Sequence, residues 1–174
     1  MRRYLFALLL MLAFPVWATE VRELTWSEMI PADAPPQEIQ SAPIHEQLQS
    51  LDTQTAESAP AAVQQSAAAP VVPALDGQRV KLPGYIVPLD MADDGKVTEF
   101  LLVPYFGACI HSPPPPANQI IHAVSTKPLK GMRSMDAIWV HGTLSLQRAD
   151  TPWGKAGYRL AVDKIAPYEE AKKK

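Results

Sequence analysis

Cys109 stands two residues before His111 in the stretch YFGACIHSPPPPANQ (105–119), and it is the one cysteine in 174 residues. The four prolines Pro113, Pro114, Pro115 and Pro116 lock φ and favour a stiff polyproline II rod, which holds the thiol and the imidazole at the mouth of a rigid loop. In extended backbone, residues i and i+2 project to the same side, so Cys109 and His111 converge as a half-site for a soft or borderline cation, Zn²⁺ or Cu(I). Structural zinc takes four ligands and catalytic zinc three plus water, so more donors are needed. The candidates are His122 and His141. His122 shares an apolar face with Ile120 and Val124, where a satisfied core histidine is the competing reading. His141 shares its face with Trp139 and Thr143, where the competing reading is an exposed polar residue.

Two other chemistries are open to Cys109. It reads equally as a small buried apolar residue. As a nucleophile it lacks support: residues i and i+2 seldom reach the geometry of a catalytic pair, no Gly-x-Cys elbow precedes it, and no acid partner is evident. The chain is therefore read as a non-enzyme. Asn118 and Gln119 follow the prolines directly, and their amides suit bonding the loop back onto the domain or facing a ligand. With Pro113–Pro116 they form the expected loop and partner-binding surface.

The elements that must position this loop follow from composition and periodicity. A single cysteine excludes an internal disulfide framework, a CxxC pair, a CxxCH haem site and a four-cysteine zinc module. Sixteen Lys+Arg against eighteen Asp+Glu, without a long basic run before Lys172, leave no clustered cationic face of the kind nucleic acid requires. Eighteen prolines are about twice the usual share, so irregular backbone is expected to be abundant.

Residues 1–18 read as a secretory signal peptide: Arg2-Arg3, an apolar core from Tyr4 to Phe14, and small residues before a cleavage site after Ala18. The apolar core is shorter than the roughly 20 residues of a membrane span, which predicts a periplasmic protein with no stable anchor once the signal is removed. Residues 19–55 read as an N-terminal arm, docking through Trp26, followed by a short amphipathic helix with Ile44, Leu48 and Leu51 on one stripe. Residues 56–74, rich in Ala and Pro, have too little apolar bulk to pack and read as a linker. Residues 169–174 form a basic tail.

Residues 75–168 carry the strand signals. Arg79–Leu89, Glu99–Tyr105, Gln119–Val124, Ala137–Leu146 and Gly157–Ile165 are apolar or alternating runs of strand length, without a strong helical pattern between them. Ile138, Val140, Gly142 and Leu144 alternate with Trp139, His141, Thr143 and Ser145. Five strands in a stretch of this length predict a mainly β fold, a small five-stranded antiparallel OB-like Greek-key barrel, rather than an immunoglobulin sandwich, which needs about seven. Such a small barrel is marginal alone, and the arm and helix are expected to cover its edges.

Three stretches carry a resemblance: Leu24–Pro31 with Trp26 and Ile30-Pro31; LPGYIVPLD at 82–90; and FLLVPYFGACIHSPPPPANQII at 100–121. In these the chain resembles an uncharacterised, domain-of-unknown-function family of exported bacterial proteins. The resemblance implies a periplasmic or lipid-anchored accessory protein, encoded in some cases near export-type ABC transporter components and zinc-binding proteins, and hence transition-metal homeostasis. Cys109, His111, Asn118 and Gln119 are the matched positions it marks as functional candidates. This chain lacks the cysteine that lipid-anchored members carry at the cleavage site. The expected function is thus a periplasmic accessory or binding protein for zinc, or copper, working with a transporter. The alternative is a structural protein-interaction module of the envelope with a buried, inert cysteine.

Overall fold

Val80, Leu82 and Ile86 lie on one side of the longest strand and all three are fully buried, which fixes that side as the barrel interior. The computed structural model describes residues 21–35, 63–91, 95–110 and 113–168. The signal peptide, the amphipathic helix, His111 and the basic tail lie outside the described residues. The strands are β1 (Arg22–Glu23), β2 (Arg79–Met91), β3 (Val97–Val103), β4 (Ile121–Leu129), β5 (Ala137–Ser145), β6 (Ala149–Thr151), β7 (Gly154–Ala156) and β8 (Tyr158–Pro167).

β2 is long enough to serve two neighbours. Its first half pairs with β5, from Arg79 opposite Thr143 to Tyr85 opposite Ala137, and its second half pairs with β3. The order β2-β3-β4-β8-β5 then returns to β2 and closes a five-stranded, OB-like barrel. Inside it pack Phe100, Leu102, Ile121, Ala123, Ile138, Val140, Tyr158 and Leu160.

The expectation of a purely antiparallel barrel is corrected in one respect. β8 runs parallel to β4, with Ile121 opposite Tyr158. Directions cannot alternate all the way round a ring with an odd number of strands, so closing five demands a parallel neighbour. The barrel also bends at a bulge between His141 and Gly142. A Cβ at Gly142 would lie 2.3 Å from the carbonyl oxygen of Ala161, so only glycine admits this approach of β5 to β8.

The arm covers an edge. β1 runs parallel to β2 with Arg22 opposite Val80, beside the half of β2 that β3 does not reach, and the Leu24 N–H donates to the Lys81 carbonyl at 2.9 Å. Trp26 docks as expected, its Nε1–H donating to the Pro83 carbonyl at 2.7 Å. Thr25 and Glu28 close a capping box on the 3-10 turn at Trp26–Met29. Hydrogen bonds from Thr25, then the Arg22 guanidinium, hold the Glu28 carboxyl at about 2. Leu24 and Met29, both fully buried, join the core with Leu75.

The reading of 56–74 as a linker does not describe residues 63–74, which pack on the barrel. Ala69 is buried, and Val71 and Val72 pack against the core. Gln64 donates to the Pro115 carbonyl at 2.9 Å and the Lys155 carbonyl at 2.8 Å. Arg148 donates to the Ala69 carbonyl at 2.7 Å. The fully buried Tyr158 hydroxyl accepts from the Val72 N–H at 2.7 Å and donates to the Met29 carbonyl at 2.8 Å, joining this segment to the arm. Backbone groups, which composition does not count, supply the docking.

Candidate functional site

β3 and β5 both run antiparallel to β2, so the β3–β4 and β5–β8 connections leave the barrel at the same end. The first carries Cys109 and the proline run. The second carries the β6–β7 hairpin, which packs against it: the Gly157 N–H donates to the Ala117 carbonyl at 2.7 Å.

The outer wall of the barrel has an apolar patch of its own, made by Val87, Leu101 and Val103, which the two connections cover with Ala108, Cys109, Ile120 and Ala156. Cys109 is 7% exposed. It has φ +67°, the left-handed region, with φ +84° at Gly107 just before it. Two successive turns, Ala108 N–H to Tyr105 carbonyl and Ile110 N–H to Gly107 carbonyl, fold the chain inward. Cys109 therefore sits in a turn and not in the extended backbone that convergence with His111 through i, i+2 spacing requires. Burial pushes its thiol up to about 12, so it is a neutral S–H at ordinary pH and lacks the thiolate that nucleophilic attack requires. The Tyr105 hydroxyl is shifted upward by burial and by the neighbouring Cys109.

Asn118 and Gln119, fully buried, bond the loop to its surroundings: the Asn118 amide donates to the Pro70 carbonyl at 2.8 Å, and the Gln119 amide to the Trp26 carbonyl at 2.9 Å. Their amide oxygens are buried without a hydrogen-bond partner among the described residues. The proline run is seated, with Pro115 and Pro116 buried and only Pro113 and Pro114 partly exposed. It is half a surface and half a wedge.

The two histidines among the described residues go to two places. His122 points outward from β4, is 5% exposed, and hydrogen-bonds Glu99 of β3 through Nε2, while its Nδ1 is buried without a hydrogen-bond partner among the described residues. Its neighbour across β3 is Leu101, a member of the Cys109 cluster, so thiol and imidazole share one wall of the barrel. His141 lies on β5 opposite Lys81 of β2 and Lys164 of β8. From Lys81 to Val87, the first buried member of the Cys109 cluster on β2, is about 20 Å along the strand at 3.3 Å per residue. The fold thus brings Cys109 and His122 to one wall and leaves His141 away from them. Among the described residues no three His, Cys, Asp or Glu side chains gather to hold a metal ion.

Several features of this end were not anticipated. Met135, with φ +67°, accepts the Gly107 N–H on its sulfur at 3.1 Å and so pins the turn before Cys109. The β6–β7 hairpin presents Trp153, 42% exposed, at its tip, and the β3–β4 loop presents Phe106, 43% exposed, edge-on to Tyr85 at 5.8 Å between ring centroids. The Thr-Pro-Trp-Gly run at 151–154 is the turn signal that could have located the hairpin.

The family described as "Protein of unknown function (DUF3299)" matches residues 26–167. A solved structure of a DUF3299 family protein from Pseudomonas aeruginosa PAO1 is similar to this chain at 49% identity, covering 87% of this chain and 99% of its own, with a TM-score of 0.72. Comparison with curated proteins gives no match. The matched span takes in the 3-10 turn at Trp26–Met29, the closed barrel and the Cys109 loop, and on this extent of agreement the chain belongs to the DUF3299 family.

Proposed function

We propose that this chain is a non-catalytic accessory module of the bacterial envelope, exported to the periplasm, which docks a partner such as a transporter component through the barrel end built by the β3–β4 loop and the β6–β7 hairpin. The observation that carries the reading is the contrast within that end: the thiol is buried and neutral, while Phe106 and Trp153 stand 43% and 42% exposed on segments fixed by buried amides and prolines. Rigid, exposed aromatic side chains are the usual anchors of protein interfaces, because they bury much area and lose little conformational freedom. The test replaces Phe106 and Trp153 with Ser, singly and together, in the full chain and measures crosslinking to transporter components in envelopes. Loss in the folded variants supports the reading; undiminished crosslinking in the double variant refutes it.

A second reading, participation in zinc or copper(I) homeostasis, draws on Cys109 and the orphaned Nδ1 of His122 on the same wall. These two donors fall short of the three protein ligands of a zinc site, so the described residues do not by themselves fit a resident zinc. Native mass spectrometry of reduced protein supplied with Zn²⁺ or Cu(I) decides this reading. A one-metal adduct that Cys109→Ser and His122→Gln both abolish supports it, and apo mass throughout dismisses it.

A further inference from the structure

Away from the docking end, the outer wall formed by β2, β5 and β8 carries a cationic row. Lys81, His141 and Lys164 lie directly opposite one another on the three adjacent strands. With strands about 4.8 Å apart, the two lysine backbones are about 10 Å apart and the imidazole is midway between them. All three point outward, since Val80, Leu82 and Val140 fill the interior and Ile165, next to Lys164 and opposite Val140, packs against it, the bulge at Asp163 having reset the alternation after Val162.

Like charges placed directly across strands disfavour the sheet, so such a row calls for counter-charge. The surroundings supply only part of it. Lys81 pairs with Glu23 of β1 at 3.0 Å and lies 4.5 Å from the ring of Trp139. Arg79 of β2 pairs with Asp163 of β8 at 2.7 Å. Lys164, exposed, makes no ion pair with a described residue. Three cations, Arg79, Lys81 and Lys164, thus face two carboxylates, Glu23 and Asp163, even before His141 takes a proton. Partial burial, then Lys164 and Lys81, make that proton harder to accept, and Asp163 opposes them only in part. At one edge Trp139 and Tyr168 pack with ring centroids 5.5 Å apart, tilted at 41°, and give the row an apolar border.

We propose that the row Lys81–His141–Lys164 is a binding site for a phosphate-class oxyanion, held by the Lys164 ammonium and by His141 in its protonated form, with Lys81 contributing field from beside Trp139. The anion supplies the missing counter-charge, and its arrival draws a proton onto His141. The site is separate from the docking end, and the proposal does not rest on that reading. The phosphoryl group belongs either to free phosphate or to an anionic lipid headgroup.

Nuclear magnetic resonance of the full chain tests the proposal by following the ring carbon-bound proton of His141, assigned with His141→Gln. Inorganic phosphate, titrated against chloride at equal ionic strength to remove screening, is expected to raise the His141 titration midpoint, and Lys164→Gln to abolish the rise. The parallel arm measures flotation with phosphatidylglycerol–phosphatidylcholine vesicles against phosphatidylcholine alone. Binding to anionic vesicles that Lys164→Gln and His141→Gln both weaken at least several-fold identifies the lipid headgroup as source, and a response to phosphate without vesicle binding identifies the free ion. A His141 midpoint moved no further by phosphate than by chloride, together with vesicle binding that is absent or insensitive to both variants, overturns the proposal.

Discussion

Replacing Tyr158 with Phe removes one oxygen atom and tests whether the arm and residues 63–75 are integral to the fold. That hydroxyl lies in a fully buried residue and satisfies two backbone groups from separate segments, the Val72 N–H at 2.7 Å and the Met29 carbonyl at 2.8 Å. The phenyl ring keeps its packing, so the loss is confined to hydrogen bonding. A buried backbone group left unpaired costs about 1–3 kcal/mol. Met29 is fully buried and Val72 only partly, so the carbonyl bears the larger penalty and water relieves some of the N–H. The expected destabilisation is about 2–4 kcal/mol, a large share of the roughly 5–15 kcal/mol typical of a domain. Urea unfolding should show the midpoint falling with the m-value unchanged. Native-state hydrogen exchange should show faster exchange at Leu75 and Leu24 before the strands β3 to β5 are affected. A loss below about 0.5 kcal/mol, with exchange at those amides unaltered, would mean that the hydroxyl does not hold the two segments, and the packing account of this end would fail.

Three further outcomes follow from the same structure. Gly142→Ala places a carbon where the Ala161 carbonyl stands 2.3 Å away, so β5 and β8 must separate; a cost of about 2–4 kcal/mol in chemical denaturation is expected, and a near-neutral effect would show that the bulge relaxes freely. Glu28, held at about 2 by Thr25 and Arg22 against its ordinary 4.5, contributes stability that is present above pH 4.5 and lost as pH falls towards 2. Because this carboxylate is partly exposed, solvent screening limits the effect to about 1 kcal/mol, read as a shallower acid-side slope in Glu28→Gln. His141 resists protonation in the fold, so stability declines as pH drops below about 6.5, and His141→Gln should remove that part of the decline in urea midpoints measured between pH 7 and pH 5.

How much of this could be read from the chain varies with the kind of interaction. The alternation of Ile138, Val140 and Leu144 against Trp139, His141 and Thr143 announces β5 and its inward face, because one-sided burial leaves a period of two. The direction of β8 leaves no such mark, and only the closure of an odd ring explains its parallel pairing with β4. The Cys109 loop was legible as rigid from its prolines, and Asn118 and Gln119 as residues that tie it down. Its turn was not, since a cysteine at φ +67° carries no local signal and is packed among Val87, Leu101, Ile120 and Ala156 from other parts of the chain. Composition missed residues 63–74 for a related reason. Their docking uses the carbonyls of Ala69 and Pro70 and the side chain of Gln64, none of which registers as apolar bulk. The meeting of His122 with Glu99 depends on the register of β4 against β3, which neither strand specifies by itself.

The view of this DUF3299 protein as a docking module, and not a thiol enzyme, rests on the state of Cys109. The decisive measurement is the rate of alkylation of its thiol by a small neutral reagent in the native protein, followed across pH 6 to 10 and compared with the protein unfolded in urea. The account predicts a native thiol that reacts slowly throughout this range and reaches the ordinary rate only on unfolding, in keeping with burial that raises it to about 12. Fast alkylation of the folded protein near neutral pH, with a titration midpoint well below that of an ordinary thiol, would contradict it.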